Sequence, residues 1–374
     1  MNTRVSMKAL AIASFAVLAA DGLEQRAVAA EDTYRVRELR DLTNRAGVGT
    51  VQANHLNNMS EIIGYSTDAS GTLRPTFWNH FFPTNLYTAY NQQIASVEGI
   101  NDRSELVGAG TISPDRFGVY ILRRGKVEFP MYSGFELHGA GVVLNNRGEI
   151  AFHWFTGDTT ADSYYWFNGV LRGVDGNDEE NSAAAINNAG VICGTSSFDT
   201  RVGPTNPPAA WVSRPNRLAL IPPLPGDTGV GASDINDHNE VVGESFTTAE
   251  GAFYVNGRAY LWQDGVASDL HMTLPGHLNS GPTALNDSTV IVGWSSSVRG
   301  SAPNAGKAVI WHDGTTRDLT AQIDASDPLK RYVKLFIATD INDAGEILAQ
   351  GVDTRTGNVR AYFLRPMRLP NINP

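Results

Sequence analysis

The side chains best suited to chemistry in this sequence belong to a recurring phrase that contains a glycine. They lie at, or next to, the position that directly follows this glycine or the residue that replaces it. Histidine and glutamate there could act as base and acid, because the ordinary histidine pKa of about 6.5 lies near neutral pH. Tryptophan and tyrosine rings could stack on a sugar or an aromatic ligand. The alternative for each of them is plain packing between repeats. The candidate ligand-binding residues are Tyr65, His153, Trp154, Glu244, Trp294 and Gln350.

A second candidate is an acidic run over residues 175–181, which read DGNDEEN. Carboxylates and amides are ligands that Ca²⁺ takes, so this run offers a candidate calcium site. The run does not follow the EF-hand spacing, and a solvated acidic loop is the alternative. We predict no other cofactor, because one cysteine and eight histidines without ligand spacing give no zinc site. The candidate calcium ligands are Asp175, Asn177, Asp178 and Glu179.

The elements that must position these candidates belong to an internal repeat. A phrase of the form Ile/Leu-Asn-x-x-x-Glu-hydrophobic-hydrophobic-Gly recurs seven times, for example as INDHNEVVGES from Ile235. Successive copies are 44, 44, 42, 49, 50 and 56 residues apart. Such a period is typical of repeat architectures. The asparagines that anchor the seven copies are Asn57, Asn101, Asn145, Asn187, Asn236, Asn286 and Asn342.

Each copy has a second half that predicts two further strands. An aromatic or aliphatic triplet ends 21 to 26 residues after the asparagine, as in Tyr-Leu-Trp262 and Ala-Ala-Trp211. An Asn-Gly or Asp-Gly turn follows in several copies, and such pairs between apolar runs are strong hairpin signals. We therefore divide each unit into four strands. Strand A ends at the asparagine, strand B at the glycine, strand C at the triplet and strand D at an Asp-Leu pair.

Units of four short strands without helical periodicity are typical of propeller blades. The sequence therefore predicts an all-β fold, a seven-bladed β-propeller with four-stranded blades. A β-solenoid is the alternative, although solenoid coils are usually shorter and lack these hairpin turns.

The two ends of the repeat region complement each other. The last unit has strands A to C, and only ten residues, three of them proline, follow Leu364. Near the N-terminus, Asp-Leu-Thr43 matches the strand-D sequence Asp-Leu-Thr320. We expect this N-terminal strand, residues 35–42, to pair with the segment around residues 361–364. Such pairing closes the last blade and removes free strand edges.

The repeat resembles the HAF family of bacterial extracellular repeat proteins. The resemblance rests on Ile-Asn-x-x-Gly-x-Val-Val-Gly followed by Ala-Phe/Tyr-Leu-Trp, an Asp-Gly turn and Asp-Leu. It is best seen at residues 233–270 and covers about residues 34–365. No copy carries the literal His-Ala-Phe triplet, and Arg-Ala-Tyr260 and Arg-Ala-Tyr362 come nearest. The resemblance implies export and a bacterial source, and it implies no activity and no site residue.

The first 30 residues have the pattern of a signal peptide. Arg4 and Lys8 precede a 12-residue apolar run, ALAIASFAVLAA, and small residues suited to cleavage follow before residue 31. We expect a secreted or periplasmic protein, and an uncleaved anchor is the alternative. The run is too short to span a bilayer, which takes about 20 apolar residues. The predicted organisation is 1–30 signal peptide, 31–367 a single propeller domain and 368–374 a C-terminal tail.

Composition limits the classes of function. A net charge of −10 with 42% hydrophobic residues describes a folded acidic chain and gives no electrostatic basis for nucleic-acid binding. We expect a binding or interaction module for a polysaccharide, a small molecule or an extracytoplasmic protein, with no nucleic acid and no membrane span. Its site is expected where the B–C and D–A loops vary. The alternative is an enzyme, a polysaccharide lyase, hydrolase or lactonase, with His153 and Glu244 as acid and base.

Overall fold

Seven antiparallel sheets of four strands each form a ring, which confirms the predicted all-β, seven-bladed β-propeller. The computed structural model describes residues 33–43, 49–133, 141–155, 161–174, 181–196, 208–214, 217–249, 252–298 and 306–367. Each blade contains one copy of the repeat. Its strand A lines the central channel, and strands B, C and D follow outward in chain order.

The strands follow the predicted order A to D within each blade, and two short helices follow strand D in blades one and six. Blade one comprises β2 (Val51–Leu56), β3 (Ile62–Thr67), β4 (Leu73–Asn79), β5 (Phe82–Asn85) and α1 (Leu86–Ala89); blade two, β6 (Gly99–Ile100), β7 (Leu106–Ser113), β8 (Arg116–Arg123) and β9 (Lys126–Ser133); blade three, β10 (Val142–Leu144), β11 (Ile150–Phe155), β12 (Ala161–Phe167) and β13 (Val170–Gly173); blade four, β14 (Asn181–Ile186), β15 (Ile192–Ser196), β16 (Ala209–Arg214) and β17 (Arg217–Ile221); blade five, β18 (Gly229–Ile235), β19 (Val241–Ala249), β20 (Ala252–Gln263) and β21 (Val266–Asp269); blade six, β22 (Asn279–Leu285), β23 (Ile291–Ser296), β24 (Lys307–His312), β25 (Thr315–Asp318) and α2 (Leu319–Gln322); blade seven, β26 (Val333–Ile341), β27 (Ile347–Asp353), β28 (Asn358–Pro366) and the N-terminal β1 (Tyr34–Glu38).

The turn between strands A and B needs one residue in the left-handed region, three positions after the anchor asparagine. Glycine adopts this conformation at no steric cost, and asparagine tolerates it better than most residues. Glycine or asparagine supplies it in four of the seven copies. The residues and their φ angles are Ser60 59°, Ser104 57°, Gly148 83°, Gly190 78°, Asn239 62°, Thr289 56° and Gly345 74°.

Each anchor asparagine is buried and joins its own blade to the next one. In blade one, Asn57 Oδ1 accepts the backbone N–H groups of Met59 at 3.0 Å and Glu61 at 2.9 Å, which closes the A–B turn. Its Nδ2 donates to the carbonyl oxygen of Asn101 in blade two at 2.9 Å. The same bond between neighbouring anchors recurs in all seven blades and returns from Asn342 to Asn57 at 3.1 Å. The anchors therefore form a closed ring of hydrogen bonds, here called the anchor ring.

The residue after each anchor forms a second closed ring. Its side-chain Oδ1 accepts the backbone N–H of the equivalent residue in the preceding blade, at 2.7 to 3.0 Å. The two rings surround the channel mouth on the face of the A–B turns, where a cavity of about 180 Å³ lies. We call this second ring the outer ring, and its members are Asn58, Asp102, Asn146, Asn188, Asp237, Asp287 and Asp343.

The N-terminal strand closes the ring of blades, as predicted. β1 pairs antiparallel with β28, with Tyr34 opposite Pro366 and Glu38 opposite Tyr362. Apolar side chains of blades seven and one, among them Phe363 and Trp78, pack together beside this closure. The first and last strands of the propeller thus complete one sheet.

The register of the closure differs from the predicted match. Residue Asp318 of blade six lies opposite Val309, and in blade seven the equivalent pair is Glu38 and Tyr362. Glu38 and the residue after it, rather than Asp41 and its successor, therefore occupy the strand-D position. Asp41 lies beyond the strand, where its carboxylate accepts the N–H of Gly49 at 2.7 Å.

The glycine that recurs at the same place in strand B of five blades has a steric cause. A β-carbon on Gly243 would lie 1.9 Å from the carbonyl oxygen of Gly231 on strand A, where the A–B register shifts at a bulge. In blade three, the described A–B pairing has no register shift, and Phe152 takes the glycine's place opposite Val142. The close approach of strand A thus accounts for the glycine.

One predicted triplet was misaligned. The first residue of strand C's triplet lies opposite the B-strand glycine, as Tyr260 does opposite Gly243. In blade four, Trp211 occupies this first position, opposite Gly194, rather than the third. Its indole fills the space above the glycine, since a β-carbon there would lie 2.3 Å from the ring.

Deleting residues 31–43 should destabilise the protein far more than deleting residues 368–374. The first deletion removes β1 and exposes the edge of β28, which we expect to lower the melting temperature by about 10 °C or more. Thermal unfolding followed by circular dichroism would measure both truncations. Equal melting temperatures would contradict closure by β1.

Asn57→Ala should lower the free energy of unfolding by about 3–5 kcal/mol, because it leaves buried backbone donors and a carbonyl without partners. Asn58→Ala, in the same turn but exposed to solvent, is the matched control and should cost about 1 kcal/mol or less. Urea denaturation of the two variants gives the comparison. Similar losses for both would show that the anchor ring is no more important than the outer ring.

Candidate functional site

In blades one and four, the residue after the B-strand glycine contacts the neighbouring blade. In blade one, the hydroxyl of Tyr65 accepts the N–H of Val97 in blade two at 3.3 Å. In blade four, the hydroxyl of Thr195 accepts the N–H of Ala232 in blade five at 2.9 Å. At these two positions the side chain therefore binds the strand A region of the next blade.

Glu244 and Trp294 are brought together at Gly281, in strand A of blade six. A β-carbon on Gly281 would lie 1.9 Å from Glu244 Oε1 and 2.6 Å from Trp294 Nε1. Both side chains fit only because this residue is glycine. Burial raises the pKa of Glu244 to about 7, so this carboxyl exchanges its proton near neutral pH.

The other predicted residues lie elsewhere. His153 is half-buried in blade three, where the N–H of Gly141 donates to its Nδ1 at 3.2 Å. Gln350 lies in β27 of blade seven, opposite Ala361. The structure thus places the predicted acid and base, His153 and Glu244, against different strands A.

Two predictions fall outside the part of the chain that the structure describes in full. Trp154 lies in β11, but its side chain is outside the described residues. The candidate calcium ligands Asp175, Asn177, Asp178 and Glu179 lie outside the described residues altogether. Within the described ranges, no group of three or more His, Cys, Asp or Glu side chains is arranged to hold a metal ion.

The central channel contains ionisable side chains that the sequence analysis did not single out. They surround a cavity of about 190 Å³. Each carboxylate accepts a backbone N–H of the next blade or of a nearby strand A: Glu98 from Val142 at 2.9 Å, Asp234 from Leu285 at 3.0 Å, and Asp340 from Leu56 at 2.8 Å. These acids therefore accept hydrogen bonds from backbone N–H groups at the inner edges of the blades, where no further strand can pair with them.

Burial shifts the pKa values of these channel groups. It raises the pKa of Asp234 to about 7 and also raises that of Glu98. Burial alone would lower the pKa of His55, but the hydrogen bond and charge of Asp340, 3.5 Å away, raise it overall. His55, Asp234 and Asp340 all stand two residues before an anchor asparagine, which is the sequence signal that could have found them.

A cavity of about 500 Å³ lies between blades three and four, beside their A–B turns. Its lining includes Arg147, Glu149, Tyr165, Phe167 and Arg172. A cavity of similar volume, about 490 Å³, lies beside Tyr87 and has no charged residue in its lining. The cavity between blades three and four is therefore the more distinctive one chemically.

Glu149 holds the floor of this cavity and is only 2% exposed. Its carboxylate accepts from the Tyr165 hydroxyl at 2.7 Å and from the anchor Asn145 at 2.5 Å, and Arg147 lies 3.2 Å away. Burial and the bond to Glu149 raise the pKa of Tyr165 well above its ordinary value. The phenol is therefore protonated at neutral pH and donates to the carboxylate.

The A–B turn of blade four borders this cavity and carries the small residues Ala189 and Gly190 before strand B. In three other blades a hydroxyl at the Gly190 position donates to the glutamate of the preceding blade: Ser60 to Glu346, Ser104 to Glu61, and Thr289 to Glu240. Gly190 has no such group, and Tyr165 of blade three takes its place. The sequence signal is an Ala-Gly turn next to a repeat that carries Tyr in strand C.

Replacing Glu244 by Gln should make stability less dependent on pH. The folded pKa of Glu244 lies above its unfolded value, so its contribution is fully present below about pH 4.5 and is lost as pH rises through 7. Relative to wild type, Glu244→Gln should therefore gain roughly 2–3 kcal/mol of unfolding free energy between pH 5 and pH 8. Urea denaturation at the two pH values measures this gain.

Glu128→Gln is the control, because Glu128 is exposed and its pKa is lowered by Arg123 rather than raised. This variant should show no gain towards pH 8. A pH profile of Glu244→Gln parallel to that of wild type would contradict the assignment of a buried, desolvated carboxyl.

Comparison with known proteins finds only solved structures of low similarity. No family model matches the chain, and no curated protein is similar to it. Among solved structures, the β-propeller domain of the Trilobed protease from Pyrococcus furiosus is 13% identical with a TM-score of 0.47, over 74% of this chain and 83% of that one.

Two peptidases give similar values, and this chain spans about half the length of each. Pyrococcus horikoshii acylaminoacyl peptidase is 12% identical with a TM-score of 0.46, over 75% of this chain and 47% of that one. A puromycin-hydrolyzing peptidase of Mycobacterium tuberculosis is 11% identical with a TM-score of 0.46, over 87% of this chain and 52% of that one. Among the described residues, no helix is both long and apolar enough to cross a membrane.

Proposed function

We propose that this protein is an exported binding module whose ligand site is the cavity between blades three and four. The observation that carries the proposal is the lining of that cavity, which combines two guanidinium groups, a tyrosine and a phenylalanine. Such groups hold and orient a ligand. The volume, about 500 Å³, is that of small-ligand sites, which span roughly 300–1,000 Å³. Export, to the periplasm or the medium, is inferred from residues 1–30.

The walls of the cavity are held rigidly, which favours binding. One wall carries Glu149, which is fixed by hydrogen bonds from Tyr165 and the anchor Asn145. The other wall is the A–B turn of blade four, which Asn187 closes and joins to blade five. A preformed site loses little conformational entropy when a ligand binds.

Enzymatic activity, the alternative from the sequence, receives no support from the positions of its candidate residues. His153 and Glu244 lie against different strands A. The carboxylates of the channel are engaged with backbone N–H groups. The proposed site lies beside the A–B turns, whereas the sequence analysis expected function at the B–C and D–A loops.

A binding screen on residues 31–374 tests the proposal. The panel contains neutral oligosaccharides, uronates and small organic acids, and calorimetry is combined with mass spectrometry of the recovered ligands. We expect at least one panel member to bind in the micromolar range and to be recovered intact. Chemical conversion of the bound compound, or no binding at all, would count against a binding module.

The variant Ala189→Trp tests whether the ligand binds in this cavity. Ala189 lines the cavity and is exposed, so an indole there should fill the cavity and weaken binding at least tenfold. Ala344→Trp is the matched control, because Ala344 is exposed at the same turn position of blade seven. Equal affinities of the two variants would move the site away from this cavity.

A further inference from the structure

The cavity between blades three and four has a positive charge that its own residues do not neutralise. Its lining contains the guanidinium groups of Arg147 and Arg172 and one carboxylate, that of Glu149. Arg147 pairs with this carboxylate at 3.2 Å. Within the described ranges, Arg172 has no carboxylate partner. One guanidinium is thus left for a ligand, in a chain whose net charge is −10.

Arg172 is placed to reach that ligand. It lies in β13, directly opposite Tyr165 of β12, and all four residues of β13 are exposed. Arg172 and Tyr165 both line the cavity, and the charge of Arg172 lowers the pKa of the Tyr165 hydroxyl, against the larger effects of burial and Glu149. The cation therefore stands at the open edge of the cavity, above the Tyr165–Glu149 pair.

The same cavity has an apolar wall. Phe167 is half-buried and lies opposite Val170, which is 50% exposed. The Arg147 guanidinium lies over the Phe167 ring, 5.8 Å from its centre. Aromatic rings of this kind pack against the C–H face of a sugar ring, and the neighbouring Asn168 and Ser213 supply polar groups for its hydroxyls.

Resting on the proposed binding function, we propose that the ligand is an acidic saccharide, and that Arg172 pairs with the carboxylate of a uronate unit whose ring packs on Phe167. Arginine suits this role because its planar fork matches a carboxylate with two parallel hydrogen bonds. A single unpaired guanidinium balances one negative charge, which a uronate carries at neutral pH and a phosphate monoester exceeds. The open edge of the cavity lets the saccharide chain continue into solvent.

Trigalacturonate and its neutral counterpart galactotriose are the probes, and calorimetry on residues 31–374 measures both in low and high salt. We expect trigalacturonate to bind at least tenfold more tightly than galactotriose in low salt, with the difference reduced in high salt. Arg172→Gln should lower the affinity for the acid to that for the neutral sugar. Phe167→Ala should weaken both.

Arg317→Gln is the matched control, because Arg317 holds the same strand-D position in blade six, opposite Ile310. It should leave the affinity for trigalacturonate unchanged. An unchanged affinity in Arg172→Gln, or tighter binding of galactose 6-phosphate than of trigalacturonate, would overturn the assignment. Failure of trigalacturonate to bind, while another panel compound binds and is blocked by Ala189→Trp, would reject the uronate and leave the binding module intact.

Discussion

A buried asparagine side chain that must satisfy two blades at once is the constraint on which this propeller depends. A carboxamide offers two donor hydrogens and an oxygen that accepts twice. Asn57 uses all of them: its oxygen closes its own turn, and its nitrogen donates to Glu61 and to the carbonyl of Asn101. Aspartate has no donors and serine has too few, so the repeat is fixed at this position, and the A–B turns have little freedom to vary.

The fold could be predicted because each repeat carries its hydrogen-bonding residues at fixed spacing. Seven anchors indicated seven blades, and the missing last strand indicated closure from the N-terminus. Registers were harder to predict. Trp211 looked like the end of a triplet, yet it lies over Gly194, because the match of aromatic residues does not say which of them faces the glycine. Glu38 was overlooked in the same way, since Asp41 gave the better match to the motif.

The candidate site was much less predictable, because it belongs to the interface between two copies of the repeat. The repeat pattern identified Tyr65 and Glu244 as candidate ligand-binding residues. Their contacts, however, are with the next blade, and the sequence of a single repeat does not specify contacts between blades. The cavity beside Tyr165 borders Gly190, where three other blades carry a hydroxyl, and an absent side chain leaves only a weak signal in a sequence. Two of the channel acids, Asp234 and Asp340, stand two residues before an anchor, so a comparison of that position among copies would have found them, whereas Glu98 stands three residues before its anchor.

Closure by β1 also determines how the molecule responds to tension. Tyr34 lies opposite Pro366, so the outward ends of β1 and β28 are at the same end of the antiparallel pair. A force that separates the two chain ends would therefore peel these strands apart one hydrogen bond at a time, rather than shear all their bonds together. The ring would open at blade seven before the other six blades carry any load. The β1–β28 pair is therefore the mechanically weakest point of the ring when its two chain ends are pulled apart.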